Sequence, residues 1–276
     1  MSEIERVVAQ ALAEDLGDRG DITSDLIIPA DLEATAQVVS RVDGVLAGRA
    51  AAEEVVRRCG LTAAWHRGDG ERLAPGTVVA DISGPARAVL RAERTLLNLM
   101  CHLSGIATLT AAYVDAAAPA MVLDTRKTTP GLRILEKAAV AAGGGSNHRI
   151  GLYDRVLVKD NHLALAGAGL GDAVRRARRD LPGVVVEVEA DDLDGVRAAI
   201  DAGADWILLD NMDPATLREA VALTGGRARL EASGGMSLEG ARAAAACGVD
   251  AVSVGALTHS APTLDLGLDI AVPARA

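Results

Sequence analysis

The densest group of reactive side chains in this 276-residue chain lies in three short segments: Asp124-Thr125-Arg126-Lys127-Thr128-Thr129-Pro130-Gly131, Ser146-Asn147-His148-Arg149 and Lys159-Asp160-Asn161-His162. Arg126, Lys127, His148, Arg149 and Lys159 are potential cations, gathered in a chain whose formal net charge is −10. Such a set binds anions. A guanidinium matches a carboxylate or phosphate with a planar fork of donors, and an ammonium adds a compact point charge. Together they suit a ligand with several negative groups. Further on, Glu189 and Asp210 each close an apolar run. They suit acid–base work, metal ligation or acceptance of ligand hydroxyls, and carboxylates with few nitrogen or sulfur companions favour Mg²⁺ over zinc. Glu187 shares the strand face of Glu189 one layer lower, because side chains two apart on a strand point the same way. Ser233-Gly234-Gly235 is a turn of the type that can meet a phosphate with backbone N–H groups.

The elements that must position these groups are legible from residue 120 onward as short unbroken apolar runs, each followed by a helical pattern. The runs are 121–124, 156–159, 184–189, 206–210, 229–233 and 251–255. Unbroken apolar strands are those covered by helices on both faces of a parallel sheet. Asp124, Lys159, Glu189 and Asp210 end four runs, and Ser233-Gly234-Gly235 and Gly255-Ala256 follow the last two. Reactive groups at the carboxyl ends of several strands, with a phosphate-type turn near the last ones, are the layout of a β/α barrel. No G-x-G-x-x-G follows a strand, so the dinucleotide fingerprint is absent. With about six units where a full barrel has eight, the expectation is an incomplete barrel.

Before residue 120 the texture is α+β. An amphipathic helix spans 3–15, β-type runs cover 34–41, 45–48 and 77–82, and a helical pattern spans 50–59. Pro85 opens a long helix to about residue 118, expected to break or bend near Ser104-Gly105. Arg133, Arg155 and the run Arg175-Arg176-Ala177-Arg178-Arg179 read as solvated surface charges, and Gly143-Gly144-Gly145 as a flexible loop or lid.

Composition excludes several classes. An apolar fraction of 50% with 24% charged residues is that of a globular chain. With aromatics at 1% and no Phe, the core rests on small and branched side chains. Net negative charge argues against nucleic acid and anionic membranes as partners. The acidic start Met1-Ser2-Glu3-Ile4-Glu5 does not resemble a signal peptide, and no apolar run approaches the roughly 20 residues that span a bilayer, so a cytoplasmic protein is expected. Cys59, Cys101 and Cys247 have no paired spacing and read as reduced, mostly buried thiols.

In order and spacing these segments resemble the quinolinate phosphoribosyltransferase family. Also carrying the resemblance are Gly20-Asp21-Ile22-Thr23-Ser24, Glu93-Arg94-Thr95-Leu96-Leu97-Asn98, His102-Leu103-Ser104-Gly105-Ile106-Ala107-Thr108, Leu209-Asp210-Asn211, Glu231-Ala232-Ser233 and Val254-Gly255-Ala256-Leu257-Thr258-His259. The resemblance implies an amino-terminal α/β sandwich over 1–107, a barrel over 108–264 and a tail, 265–276, returning to the first domain. It implies a homodimer, or a higher oligomer built on it, with Arg94 lent across the interface. Thr125, Arg126, Lys127, His148, Arg149 and Lys159 would line a basic pocket, and Glu189 and Asp210 would face ribose hydroxyls and Mg²⁺. Ser233, Gly234, Gly235, Val254, Gly255 and Ala256 would cradle a 5′-phosphate. Lys127, Lys159, Glu189 and Asp210 would be the catalytic set for joining quinolinate to phosphoribosyl pyrophosphate with loss of CO₂ and pyrophosphate, giving nicotinate mononucleotide for NAD synthesis. The rivals are a molybdenum-transport-linked paralogue of the same fold, a sugar-phosphate barrel isomerase or lyase with Lys159 as Schiff-base nucleophile, and a noncatalytic phosphometabolite sensor.

Overall fold

The computed structural model describes residues 1–167 and 169–271. In chain order the elements are α1 (Glu3–Leu16), α2 (Ile22–Ile27), β1 (Glu33–Ser40), β2 (Gly44–Val45), α3 (Arg49–Arg58), β3 (Thr62–Trp65), β4 (Arg72–Leu73), β5 (Val78–Pro85) and α4 (Ala86–Ala117). They continue with β6 (Met121–Leu123), α5 (Arg133–Ala142), β7 (Val156–Val158), α6 (Asp160–Ala166), α7 (Leu170–Asp180), β8 (Val186–Ala190), α8 (Leu193–Ala202) and β9 (Trp206–Asp210). The last are α9 (Pro214–Thr224), β10 (Arg229–Ser233), α10 (Leu238–Ala246), β11 (Ala251–Ser253), α11 (Ala256–His259) and β12 (Leu266–Ala271).

The chain forms two units. The first comprises Met1–Ala111, Thr128–Gly144 and the described residues from Ser260 onward; the second comprises Ala112–Lys127 and Gly145–His259. The division is discontinuous: α4 runs through residues 107 and 108 without a break, and α5 and the carboxy-terminal segment both belong with the first unit. Residues 272–276 of the expected tail lie outside the described residues.

In the first unit an antiparallel sheet has the order β12-β1-β5-β3. Residues 266–271 add β12 beside β1 in register Ser40↔Leu266 to Thr35↔Ala271. Alternate residues such as Ala36, Val38, Ala80 and Ile82 are buried, as expected of a sheet with one covered face. The expected break in α4 does not occur. Ser104 Oγ accepts the Ala47 N–H at 3.0 Å and donates to the Ala47 carbonyl at 3.1 Å. Gly105 lies against the backbone of Pro262, where an added Cβ would meet the carbonyl oxygen at 2.0 Å. The small residues are therefore there for close approach. Gly143, expected in a flexible loop or lid, is packed in the same way: its Cβ would meet the Ala107 carbonyl oxygen at 2.4 Å. Contrary to expectation, α4 contains an 18-residue stretch apolar enough to cross a membrane; 67% of it is buried within the protein, as in a core helix. Cys247 is buried, whereas Cys59 and Cys101 are half-buried.

In the second unit six parallel strands have the order β6-β11-β10-β9-β8-β7. The first strand pairs with the last, Met121↔Ala251 to Ser253↔Leu123, so the sheet curls round on itself. It stays open between β6 and β7, its two ends. This is the incomplete six-unit barrel, with helices α7 to α10 as crossovers. Its lower interior is filled by Met121, Leu123, Val185, Trp206 and Ala251. The Tyr113 hydroxyl, at the end of α4, donates to the Met236 carbonyl at 2.9 Å, tying that helix end to the loop after β10.

Gly105→Ala tests the close approach. Alanine is the better helix former by about 1 kcal/mol. The substitution nonetheless lowers stability by about 1–3 kcal/mol in urea unfolding, because the new methyl displaces backbone. Unchanged or raised stability would refute the contact.

Candidate active site

Residues of one parity on successive strands face a common cavity of about 420 Å³: Leu157 and Lys159, Glu189, Leu208 and Asp210, Glu231 and Ser233, and Ser253. Strand register fixes their heights. Glu189 pairs with Leu208, Leu208 with Glu231, and Asp210 with Ser233, so Asp210 and Ser233 stand one layer above Glu231. Asp124, Thr125, Arg126, Lys127, His148 and Arg149 complete the wall. A second hollow of about 490 Å³ shares Thr125, Lys127, Asp210, Ser233 and Ser253 and continues over Asn211, Gly234, Gly235, Gly255, Ala256 and His259. The sequence-derived site is thus assembled apart from two members. Val254 is buried, donating its N–H to the Leu123 carbonyl at 2.9 Å as part of the strand array. Arg94 lies on α4 in the first unit, in a groove with Ala11, Glu14 and Asp15. Its side chain is 64% exposed and its acidic neighbour is Glu93, at 3.7 Å.

The cavity holds cations short of partners. Arg126 Nε is buried with no hydrogen-bond partner among the described residues. Arg149 is desolvated and lies near Arg126, and both effects lower its pKa from the ordinary guanidinium value. A buried N–H without an acceptor costs about 1–3 kcal/mol, a cost that an anionic ligand removes. Lys159 Nζ pairs with Glu189 Oε2. Lys127 is held by its backbone: its N–H donates to Thr125 Oγ1 at 3.0 Å, and its carbonyl accepts the Thr258 hydroxyl at 2.7 Å.

At the other end, Asn211 is the one non-glycine residue with positive φ, 53°, among those described. Asparagine tolerates this left-handed conformation better than most residues. Its side-chain amide donates to Asp210 Oδ2 at 2.8 Å, and its N–H donates to the Ser233 carbonyl at 2.9 Å. Gly234, φ 107°, must lack a side chain, since a Cβ would meet Asn211 Oδ1 at 2.1 Å. The loops after β9 and β10 are therefore interlocked by one residue.

Residues 21–104 match the profile of the quinolinate phosphoribosyl transferase N-terminal domain, and residues 106–269 that of its C-terminal domain. The chain belongs to the quinolinate phosphoribosyltransferase family. It is 45% identical over 272 residues to the nicotinate-nucleotide pyrophosphorylase [carboxylating] of Mycobacterium leprae, covering 95% of each chain. It is 42% identical over 273 residues to the probable nicotinate-nucleotide pyrophosphorylase [carboxylating] of Bacillus subtilis, covering 97% of this chain and 93% of that one. The solved nicotinate-nucleotide pyrophosphorylase of Francisella tularensis superposes with a TM-score of 0.92 at 37% identity, over 98% of this chain and 96% of that one.

Within this quinolinate phosphoribosyltransferase barrel, sequence reasoning missed a buried cluster under the cavity. Arg155, expected at the surface, is only 16% exposed; its Nη1 lies 3.2 Å from Glu187 Oε2, and its guanidinium covers the Trp206 ring at 5.3 Å. Arg133, likewise expected in solvent, is half-buried and donates from Nε to Thr128 Oγ1 at 2.9 Å. The four arginines of the run Arg175 to Arg179 are exposed, as expected. The fully buried Glu187 and Glu231 approach His148 Nε2 at 3.0 and 3.3 Å. One ligand atom from each of these three residues lies within 4.8 Å of the others, a spacing that would suit a metal. However, Arg155 Nη1 stands 3.3 Å from that same ring nitrogen, so a cation already occupies the position. The cluster is an ion-pair network.

Desolvation lowers the His148 pKa, but hydrogen bonds to Glu187 and Glu231 outweigh it and raise the value to about 9. Burial raises Glu231, while Glu187, despite its own burial, is held low by His148 and Arg155. The proton belongs to the cluster as a whole. A ring proton on Nδ1 would confront the Arg149 N–H, which points at that atom from 2.7 Å. The geometry therefore favours a neutral His148 with its proton on Nε2 and the cluster proton on Glu231, and Arg155 then balances Glu187.

The folded cluster keeps its proton above the ordinary histidine value of 6.5, up to about 9. The stability it contributes is therefore complete below 6.5 and is lost as pH rises through about 9. Glu231→Gln, which imitates the protonated acid, should flatten this part of the profile. Urea unfolding of both proteins between about pH 6 and about pH 10 reads the difference. Parallel profiles would show that the cluster holds no such proton.

Proposed function

We propose that this protein joins quinolinate to the ribose of phosphoribosyl pyrophosphate and releases CO₂ and pyrophosphate, giving nicotinate mononucleotide in NAD biosynthesis. The observation that carries the reading is the pair of desolvated guanidiniums, Arg126 and Arg149, facing one cavity with Lys127 and Lys159. Two carboxylates on one pyridine ring supply the anions that this crowd lacks. A Schiff-base lyase does not account for four cations around so small a space, and Lys159 is already paired with Glu189; turnover separates the enzyme from a sensor. The pyrophosphorylase names of relatives at 42–45% identity do not favour the molybdenum-linked paralogue.

In this reading Arg126, Arg149, Lys127 and Lys159 orient the dicarboxylate so that the ring nitrogen meets ribose C1. The N–C1 bond forms as the C1–oxygen bond to pyrophosphate breaks. The ring becomes a pyridinium, and the C2–carboxylate bond then breaks to release CO₂. Its electron pair remains at C2, stabilised by the adjacent cationic nitrogen, until water supplies a proton. No dedicated base is needed, so Glu189 and Asp210 act on ribose hydroxyls and charge. Backbone N–H groups of the Ser233-Gly234-Gly235 and Gly255-Ala256 turns take the 5′-phosphate.

Glu189 and Asp210 fit Mg²⁺: both are carboxylates at neighbouring strand ends, and each commits one oxygen to a protein donor, Lys159 or Asn211. Such a sparse oxygen set suits an ion that keeps most of its shell as water and substrate phosphate. When bound, the ion supplies neutralising charge to the pyrophosphate oxygens. Since both substrates are multiply charged anions that do not cross membranes unaided, we place the enzyme in the cytoplasm.

The purified protein should turn over quinolinate with phosphoribosyl pyrophosphate and use nicotinate poorly; equal use of nicotinate would refute the dicarboxylate pocket. Chelation should abolish activity and Mg²⁺ restore it. Glu189→Gln and Asp210→Asn should raise KM for the phosphoribosyl donor about 10-fold or more, an interaction of about 1.4 kcal/mol, while sparing quinolinate binding. Calorimetry showing the reverse pattern would exchange these roles.

The active site, on this reading, is completed by a second copy, whose Arg94 reaches the first copy's barrel. Supporting it is the exposure of Arg94, which among the described residues is ion-paired with Glu93 at 3.7 Å. Arg94→Ala and Lys127→Ala should each be nearly inactive. Mixed dimers of the two recover about half the wild-type activity, because two-fold symmetry leaves one intact site in each. No recovery in verified mixed dimers would remove Arg94 from the shared site.

A further inference from the structure

We infer that His148 is a positioning residue rather than a substrate contact, and that Glu187 acts through it to set the main chain from which Arg149 reaches the cavity. The inference rests on the proposed quinolinate reading of the cavity and deepens it. His148 borders the cavity, yet only 7% of its side chain is exposed. Its two ring nitrogens are both engaged within the protein. Nδ1 accepts the Arg149 N–H at 2.7 Å, and Nε2 faces Glu187 Oε2 at 3.0 Å and Glu231 Oε2 at 3.3 Å. The backbone of the same residue is fixed as well, its N–H donating to the buried Asp124 carboxylate at 2.9 Å. A neutral imidazole has one donor and one acceptor, so a ring used in this way has no nitrogen left for a ligand carboxylate.

Glu187 is fully buried and is absent from the cavity wall. Its Oε2 receives two donors at once, His148 Nε2–H and Arg155 Nη1–H at 3.2 Å, and this fixes the ring plane. The Arg149 N–H is in turn fixed by the ring. Arg149 is a partly desolvated guanidinium that shares the cavity wall with Arg126. A shift of the loop by a fraction of an ångström would move a substrate-facing fork, and oriented groups lose much of their effect when misplaced.

The test compares variants that keep or remove the acceptor. In His148→Asn the amide oxygen stands in for Nδ1 and receives the Arg149 N–H; in His148→Ala nothing does. His148→Asn should keep KM for quinolinate within about threefold of wild type, whereas His148→Ala and Glu187→Ala raise it about 10-fold or more. In all three, KM for phosphoribosyl pyrophosphate should stay within about twofold, a split that general loss of folding would not give. If His148→Asn loses quinolinate as completely as His148→Ala, the ring itself holds the substrate and the inference falls. Independently, ¹⁵N NMR of the wild-type protein should show His148 protonated on Nε2 alone, unchanged when quinolinate is added. A ring that gains a proton on Nδ1 with quinolinate would overturn the inference even if the variants fail to fold. Absence of wild-type turnover would instead refute the proposed function and leave the NMR result standing.

Discussion

Two carboxylates, Glu187 and Glu231, lie fully buried inside a parallel barrel, at 0% and 1% exposure. An ionised carboxylate in such surroundings carries an effective penalty of several kcal/mol unless it is paired and hydrogen-bonded. The interior is built around that requirement. Arg155 is drawn from the start of β7 into the barrel, where its guanidinium also covers Trp206, and Arg229 covers the same ring at 5.4 Å. His148 closes the cluster from above. Substituting apolar residues for such a network is often neutral for stability, whereas deleting one member strands another. Its retention is explained better by what it holds in place than by the stability it confers.

What it holds in place is a concentration of cations in an acidic molecule. The chain carries −10 overall, yet the cavity above the cluster gathers Arg126, Lys127, Arg149 and Lys159 on a wall they share with Asp124, Glu189, Asp210 and Glu231. Exposed pairs such as Arg175–Asp172 and Arg179–Asp180 sit in water and contribute little. Arg126 and Arg149 differ because they are partly desolvated and lie close together, so each disfavours the charge of the other until an anion arrives. That is the arrangement expected of preorganised electrostatic catalysis, in which folding energy holds charges in place before the substrate binds.

Much of this was legible in the sequence because a parallel barrel writes itself in two periods. The unbroken apolar runs marked the six strands, and the side-chain alternation placed Glu187 below Glu189 on one face. The terminal polar residue of each run marked the mouth of the barrel. Arg155 was illegible for a specific reason: it precedes a three-residue strand and the acidic residue beside it in sequence is Asp154, whereas the buried carboxylate it meets inside the barrel is Glu187, 32 residues away. Nothing local distinguishes it from a surface arginine. The same holds for Ser104-Gly105, where residues that usually interrupt helices serve instead to admit a backbone from Pro262, 157 positions further on.

On the proposed reading the two ends of the cavity grip chemically different groups, and their construction differs accordingly. Carboxylates on a flat ring need forked, directional donors, so their end is built of side chains whose positions depend on a buried network. A phosphate is nearly spherical and accepts from any direction, so backbone N–H groups in glycine turns suffice. Those turns need conformations that side chains forbid: Gly234 has φ 107° and no room for a Cβ beside Asn211. Asn211 joins the two solutions. Its left-handed backbone locks the glycine turn through Ser233, and its amide fixes one oxygen of Asp210, so the Ser233-Gly234-Gly235 turn and the Asp210 carboxylate are set at one distance by a single residue.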